Sequence, residues 1–361
     1  MMKTVLLSIN AKYIHTNNAV RLLKANTDFL VNIMEYTIKD DINQIVHDIE
    51  LVNPDVLGFS VYIWNVSIII KIINTLNLPN TKIIIGGPEV SYDSLYLLKD
   101  HNVDFIIRGE GEISFDKLLH VFYSNADIKK VPNLMYLEDG LLINNGITEI
   151  SNLDNLKLPY FMEDDVVHIP NKVSYIESSR GCPYKCSYCL SSLEEKVRFF
   201  SIERVKKTII YLMENGSKTI KFLDRTFNAN KNTLDLLSFI IENNNNKTVF
   251  QFEITGDILD QKIINHLNEF VNLITCSDNY FPNNYPNGKD QNPFKPTWML
   301  AKPTFNGLRL SLSEQSTQAE TEDHQSKLDC EQLANIPLTR LEPVKADPQK
   351  PLSFERQAQT H

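Results

Sequence analysis

Short runs of β-branched and apolar residues alternate with longer amphipathic runs through the first 125 or so residues, the pattern of a parallel sheet covered by helices. It predicts strands over Thr4–Ile9, Val31–Ile38, Val56–Ser60, Lys82–Ile85 and Phe105–Ile107. Between them it predicts helices around Asn18–Phe29, Ile42–Val52, Val66–Leu76 and Ile113–Tyr123. Polar and glycine-rich loops fall at the carboxyl ends of the strands: 10–17, 86–89 and 109–112.

Five strands with intervening helices imply an α/β fold that opens with a flavodoxin-like, doubly wound domain over residues 1–125. Ligands of such sheets sit beyond the carboxyl strand ends. Periodicity weakens from Ser124 to Asn171, where Pro132, Pro159 and Pro170 and the turn pairs Asp139-Gly140 and Asn145-Gly146 mark a linker, 126–171, with one small hairpin. A second alternating series follows: strand Val173–Glu177, a cysteine-bearing loop, helix Ile202–Asn215, strand Thr219–Leu223, helix Asn230–Asn243, strand Val249–Ile254 and helix Ile258–Asn268. This is the beginning of a (β/α) barrel, a partial one, over residues 172–270. From 271 to 361 glutamine and proline replace isoleucine, and the pattern predicts an irregular, disordered tail that leaves Val249–Ile254 as an unpaired edge. Pro282, Pro286, Pro293, Pro296 and Pro303 remove ladder donors at short intervals, and Cys276 and Cys330 are given no role.

At 361 residues the chain is long enough for two domains. Its net charge of −9 offers no broad positive field, so nucleic acid is not the default partner. No apolar run approaches the roughly 20 residues of a membrane span and no leader-like segment opens the chain, so a cytoplasmic protein without a membrane partner is expected. Of five cysteines, three lie between Cys182 and Cys189, which in a reducing compartment points to metal or redox chemistry.

The segment Ser178-Ser179-Arg180-Gly181-Cys182-Pro183-Tyr184-Lys185-Cys186-Ser187-Tyr188-Cys189 carries the spacing CxxxCxxC. Three thiolates so placed can ligate three irons of a cubane and leave the fourth open to an external ligand. Zinc is an alternative, but its structural sites use a fourth ligand, and the nearest histidines, His168 and His266, are far off. A disulfide with a spare thiol and an iron–sulfur electron carrier are further alternatives, the carrier normally needing a fourth cysteine. Buried structural cysteines fit poorly with a loop that also holds Pro183, Lys185 and Ser187.

The spacing, Tyr188 directly before the third cysteine, and the preceding strand and Arg-Gly resemble the radical S-adenosylmethionine (SAM) superfamily. The resemblance implies that Cys182, Cys186 and Cys189 hold a [4Fe–4S] cluster whose open iron is chelated by SAM. Reduction would then yield methionine and a 5′-deoxyadenosyl radical. It implies further that Tyr188 lies beside the adenine. Asp224, in Lys221–Asn228 after the second barrel strand, and Glu253, on the third, would contact SAM, the plainer reading of both carboxylates being a cap or a surface group.

The loops of the first domain, with Gly86, Gly87, Gly109, Glu110, Gly111 and Glu112, resemble those of the cobalamin-binding domain that precedes many radical SAM domains, as does 10–15 with Asn10 and His15. Tight turns alone are the other explanation of the glycines. The Asp-x-His-x-x-Gly motif that supplies an axial histidine elsewhere is absent, so cobalamin without that ligand is expected, with His15 lining its loop or capping a helix. The resemblance covers residues 1–268 and not the tail. It implies an enzyme that uses [4Fe–4S], SAM and cobalamin, most simply a methyltransferase, with an electron donor such as flavodoxin or ferredoxin as partner and an unknown substrate. A methylthiotransferase-like enzyme and a cofactor-binding remnant without turnover are the alternatives.

Overall fold

The computed structural model describes residues 3–92, 94–161, 166–186, 189–194, 196–244, 248–255, 258–272 and 309–312, all within one compact unit. The first sheet runs β1 Thr4–Asn10, β2 Val31–Thr37, β3 Val56–Ser60, β4 Lys82–Gly86 and β5 Phe105–Ile107. Its strand order is β2-β1-β3-β4-β5, all parallel, as the doubly wound pattern requires. Helices α1 Asn18–Ala25, α2 Ile42–Val52, α3 Val66–Thr75, α4 Leu95–Asp100 and α5 Glu112–Ser124 connect and follow these strands. The pattern missed α4, which is too short to show a helical period. Asn17 starts α1 by accepting the Val20 N–H at 3.2 Å.

Alternation along β1 explains the two-faced core. Val5, Leu7 and Ile9 pack with Ile45, Ile49, Ile69 and Ile72 of α2 and α3, whereas Leu6 packs with Val20 of α1 and Phe115 and Leu118 of α5. The expected hairpin exists, as β6 Leu134–Glu138 and β7 Leu141–Asn144, and it extends the first sheet antiparallel to β5.

The second sheet contains β8 Ser174–Ile176, β11 Thr219–Phe222 and β12 Val249–Ile254 in parallel, with β9 Ser179–Arg180 and β10 Arg198–Phe199 forming a separate antiparallel ladder. Helices α6 Ile202–Glu214, α7 Thr233–Asn243 and α8 Gln261–Asn272 cover one face of this sheet. A fourth parallel strand, β13 Arg309–Leu312, pairs with Gln251–Ile254. This corrects the expectation that no strand follows residue 271 and that β12 is an open edge. Leu308-Arg309-Leu310-Ser311-Leu312 does alternate apolar and polar residues with period two, but proline- and glutamine-rich flanks hid it. The remaining tail positions, with Cys276 and Cys330, lie outside the described residues.

The opposite edge of the second sheet is closed by a side chain. The Tyr160 hydroxyl donates to the Tyr175 carbonyl at 2.8 Å and accepts from the Tyr175 N–H at 2.5 Å. No described helix is long and apolar enough to cross a membrane.

Candidate functional site

The cysteine loop is rooted at the carboxyl end of β8. Asp224, following β11, accepts from the Ser178 N–H at 2.9 Å and from the Ser178 and Ser179 hydroxyls at 2.6 Å each. Burial pushes the Asp224 carboxyl above its ordinary range, against these hydrogen bonds. Both of its oxygens are thus engaged by the root of the loop. Gly181, at φ +93, follows β9, and a Cβ there would stand 2.5 Å from the Lys196 carbonyl oxygen, so only glycine lets the two ends of the loop approach.

Cys182, Cys186 and Cys189 are half-buried and form no disulfide. Cys182 Sγ lies 3.3 Å from the Thr226 hydroxyl, and the Cys189 N–H donates to the Cys186 carbonyl at 3.1 Å. Among the described residues no three ligating side chains converge on one point, so the structure shares the thiols on one loop without gathering them. The donor set itself, three unbridged thiols on a loop next to a strand end, fits a cubane with one open iron. Tyr188 lies outside the described residues.

Two arginines tie this loop to the first sheet. Arg180 on β9 and Arg198 on β10 oppose each other in the ladder, and both reach Glu110, in the loop after β5. Arg180 Nη1 donates to Glu110 Oε1 at 3.0 Å and Arg198 Nη1 to Oε2 at 2.9 Å. Arg180 also bridges Glu112 at 2.7 Å and Glu177 at 3.0 Å. Burial opposes the ionised form of Glu110, but Arg198 and Arg180 prevail and hold its carboxyl low. Glu177 is pushed up by burial despite Arg180. The carboxylates of Glu110 and Glu112 therefore face the cysteine loop.

A second junction forms at the loop after β1. His15 bridges Val173 backbone to backbone, the Thr16 hydroxyl donates to the Val173 carbonyl at 3.1 Å, and Lys172 reaches Glu35 at 3.3 Å. Asn10 donates to Glu35 at 3.1 Å and Arg21 pairs with it at 2.7 Å. Burial raises the Glu35 carboxyl, but Arg21 and Lys172 outweigh it and hold it at about 2. The Tyr175 hydroxyl lies 2.5 Å from His15 Nδ1. Burial, then Lys221 and Lys12, lower the His15 pKa, so the imidazole is neutral at pH 7 and can accept that proton.

The face of the second sheet turned away from its covering helices is polar and half-buried. Register sets Tyr175, Lys221 and Gln251 in one row, and Lys221 Nζ stands 3.6 Å from Glu253 Oε1. Glu253 thus sits two residues along β12 from Gln251, on the same face.

On the first sheet, Gly87 has φ +122, and a Cβ would stand 2.4 Å from the Val61 carbonyl oxygen. The neighbouring loop, whose Val61 N–H donates to the Gly86 carbonyl at 2.7 Å, is therefore what demands glycine at 87. Around it the carboxyl-end loops expose Tyr13, Ile14, Ile63, Trp64 and Tyr92, and the Tyr62 and Trp64 rings stack at 4.4 Å. Such a rim suits a broad, largely apolar ligand. Sequence reasoning gave no role to Glu35, Arg198 or Tyr160, and quoted Arg180 only as part of a motif. Their partners are distant in the chain, and no local signal marks them.

A model of the B12 binding domain matches residues 5–119, and a model of the radical SAM superfamily matches residues 176–280. The chain is 30% identical over 193 residues to an uncharacterized methyltransferase of Pyrococcus horikoshii, covering 50% of this chain and 41% of that one. It is 25% identical over 213 residues to the cobalamin-dependent radical SAM methyltransferase TokK of Streptomyces tokunonensis, covering 53% and 30%. It is 30% identical over 183 residues to the hopanoid C-3 methylase of Methylococcus capsulatus, covering 47% and 35%. The chain spans less than half the length of these relatives.

Among solved structures, the radical enzyme OxsB with aqua-cobalamin and SAM bound superposes with a TM-score of 0.60 at 18% identity, over 74% of this chain and 42% of that one. The methyltransferase TsrM from Kitasatospora setae, with cobalamin and a [4Fe–4S] cluster bound, gives 0.59 at 16%, over 74% and 57%. At these identities the likeness establishes the fold.

Proposed function

We propose that this chain, which belongs to the cobalamin-binding radical SAM family, is an enzyme that transfers a methyl group by radical chemistry to a substrate not yet identified. The observation that carries the reading is the placement of the loop after β5 against the cysteine loop, through Glu110, Arg180 and Arg198. It joins a loop at the carboxyl end of the doubly wound sheet, the end where such sheets take ligands, to the two ends of the loop that carries the three thiols. When bound, the cluster and SAM supply one-electron chemistry and cobalamin supplies a methyl-carrying cobalt.

Cys182, Cys186 and Cys189 would hold the cluster, with Tyr188 and Glu253 toward SAM and Asp224 fixing the root of the loop. Cobalamin would lie on the loops that hold Asn10, His15, Gly86, Gly87, Gly109, Glu110, Gly111 and Glu112. In this reading 1–125 is the cobalamin-binding domain, 126–171 the connection and 172–270 the radical SAM core. A flavodoxin- or ferredoxin-type donor in the cytoplasm would supply the electron.

Anaerobic reconstitution tests the reading. About four irons per chain are expected, with 5′-deoxyadenosine formed from SAM only when reductant is present and S-adenosylhomocysteine only when cobalamin is present as well. Cys182→Ala, Cys186→Ala or Cys189→Ala should abolish the iron while cobalamin still binds. Cluster retention in all three variants, or its loss in a Cys276→Ala or Cys330→Ala variant instead, would overturn the assignment.

A further inference from the structure

Arg180 and Arg198 stand opposite each other at the two ends of the segment that carries all three cysteines. One carboxylate spans them: Glu110 takes Arg180 on Oε1 and Arg198 on Oε2, and Oε2 also accepts the Ile150 N–H at 2.5 Å. Charge-assisted bonds of this kind are short, directional and roughly twice as strong as neutral ones. The three side chains are nearly withdrawn from water, at 11%, 5% and 15% exposure for Arg180, Arg198 and Glu110.

Burying such a network costs desolvation, and an apolar filling of the same space is often the more stable solution. The network's distinguishing property is where it connects. Glu110 belongs to the loop that leaves the carboxyl end of β5, where a doubly wound sheet binds its ligand, whereas the arginines belong to a different sheet. Asn133 holds the Glu110 carbonyl at 2.8 Å, so the loop backbone is fixed from behind as well.

We infer that Glu110 is a positioning residue which holds both ends of the cysteine loop to the loop after β5, so that cobalamin seated on the first sheet stiffens the cysteine loop and a built cluster tightens cobalamin. The coupling half of this inference rests on the cobalamin reading above. Linkage requires the gain in cobalamin affinity given by the cluster to equal the gain in cluster affinity given by cobalamin.

Amide hydrogen exchange on the full-length chain tests both halves. In the cofactor-free protein, Glu110→Ala should speed exchange in peptides spanning 179–199 by roughly tenfold or more, since it removes the charge-assisted bonds to both Arg180 and Arg198. The conservative Glu110→Gln should give a smaller rise, and peptides of β1, β3 and β11 should stay unchanged in both, which reports that the fold is intact. Breaking the surface pair Lys82–Asp104 by Lys82→Ala should leave 179–199 unchanged. Unaltered 179–199 exchange in Glu110→Ala would refute the inference whatever the cofactors do.

Aqua-cobalamin is then added, with binding followed by its visible spectrum. In the native chain 179–199 should slow and the cobalamin Kd should fall once the cluster is reconstituted, whereas in Glu110→Ala, brought to saturation with cobalamin, neither response should appear. Binding that leaves native 179–199 unchanged overturns the coupling. No binding at all overturns instead the cobalamin reading on which the coupling rests, and the first arm still decides whether Glu110 holds the loop.

Discussion

In the first sheet every residue of β1 and β3 is buried, whereas β12 of the second sheet alternates half-buried and buried residues along its whole length. The same strand–helix alternation therefore yields two kinds of surface. Helices on both faces leave the first sheet only its strand ends for chemistry, and its exposed aromatic loops gather there. Helices on one face leave the other face of the second sheet to a half-buried polar row, Tyr175, Lys221, Gln251 and Glu253. Coverage, not strand content, separates a sheet that presents a ligand at its rim from one that works across its face.

The sharpest test pairs adjacent residues. On β12, Phe252→Ala should cost about 3–5 kcal/mol, because Phe252 is fully buried and packs on Phe222 at 4.7 Å and Phe227 at 4.3 Å. Gln251→Ala beside it should cost less than about 1 kcal/mol. On β1, by contrast, Leu6→Ala and Leu7→Ala should each cost about 2–5 kcal/mol, since both faces are core. Denaturant midpoints of the four variants decide, and equal costs at Gln251 and Phe252 would dissolve the contrast.

A smaller effect is expected at β2, an edge strand of the first sheet, whose residues beyond Val31 are not fully buried. Glu35 is held at about 2 in place of 4.5, so the unfolded chain binds its proton first as the pH falls. The stabilisation is complete above about pH 4.5 and disappears as pH drops toward 2. Its size is on the order of 3 kcal/mol. Acid titration of stability should therefore be flatter by that amount between pH 5 and 2 in Glu35→Gln than in the native chain, and an unchanged slope would show that the junction with Arg21 and Lys172 contributes nothing.

The smallest effect concerns the polar face of the second sheet. Lys221→Met should change stability by no more than about 1 kcal/mol, because its pair with Glu253 is partly solvated. It should nevertheless raise the His15 pKa, since Lys221 is one of the causes lowering it. NMR titration of the imidazole reads this directly, and a fall or no movement would place Lys221 out of reach of His15.

Much of the fold was legible locally. Strand and helix positions follow from periods of two and 3.6, and residue pattern placed β1, β3, β8 and β12 to within a residue or two. The cysteine spacing was equally local, because three ligands of one cluster can lie on one loop. The short α4 and the isolated β13 were not legible, the first for want of a full period and the second because its flanks look irregular.

The junction was likewise out of reach. Glu110 and Arg198 are 88 residues apart, and Lys172 and Glu35 are 137 apart. Single residues carry no mark of a partner at that distance. Amino-acid order by itself determined the two α/β domains, their sequence along the chain and the loop that bears the thiols, because each depends on neighbours in the chain. Only the tertiary structure decided that Glu110 and Glu112 turn to arginines, that Asp224 anchors serines and that His15 meets Tyr175. Those contacts exist only once the two sheets have packed and desolvated the groups between them.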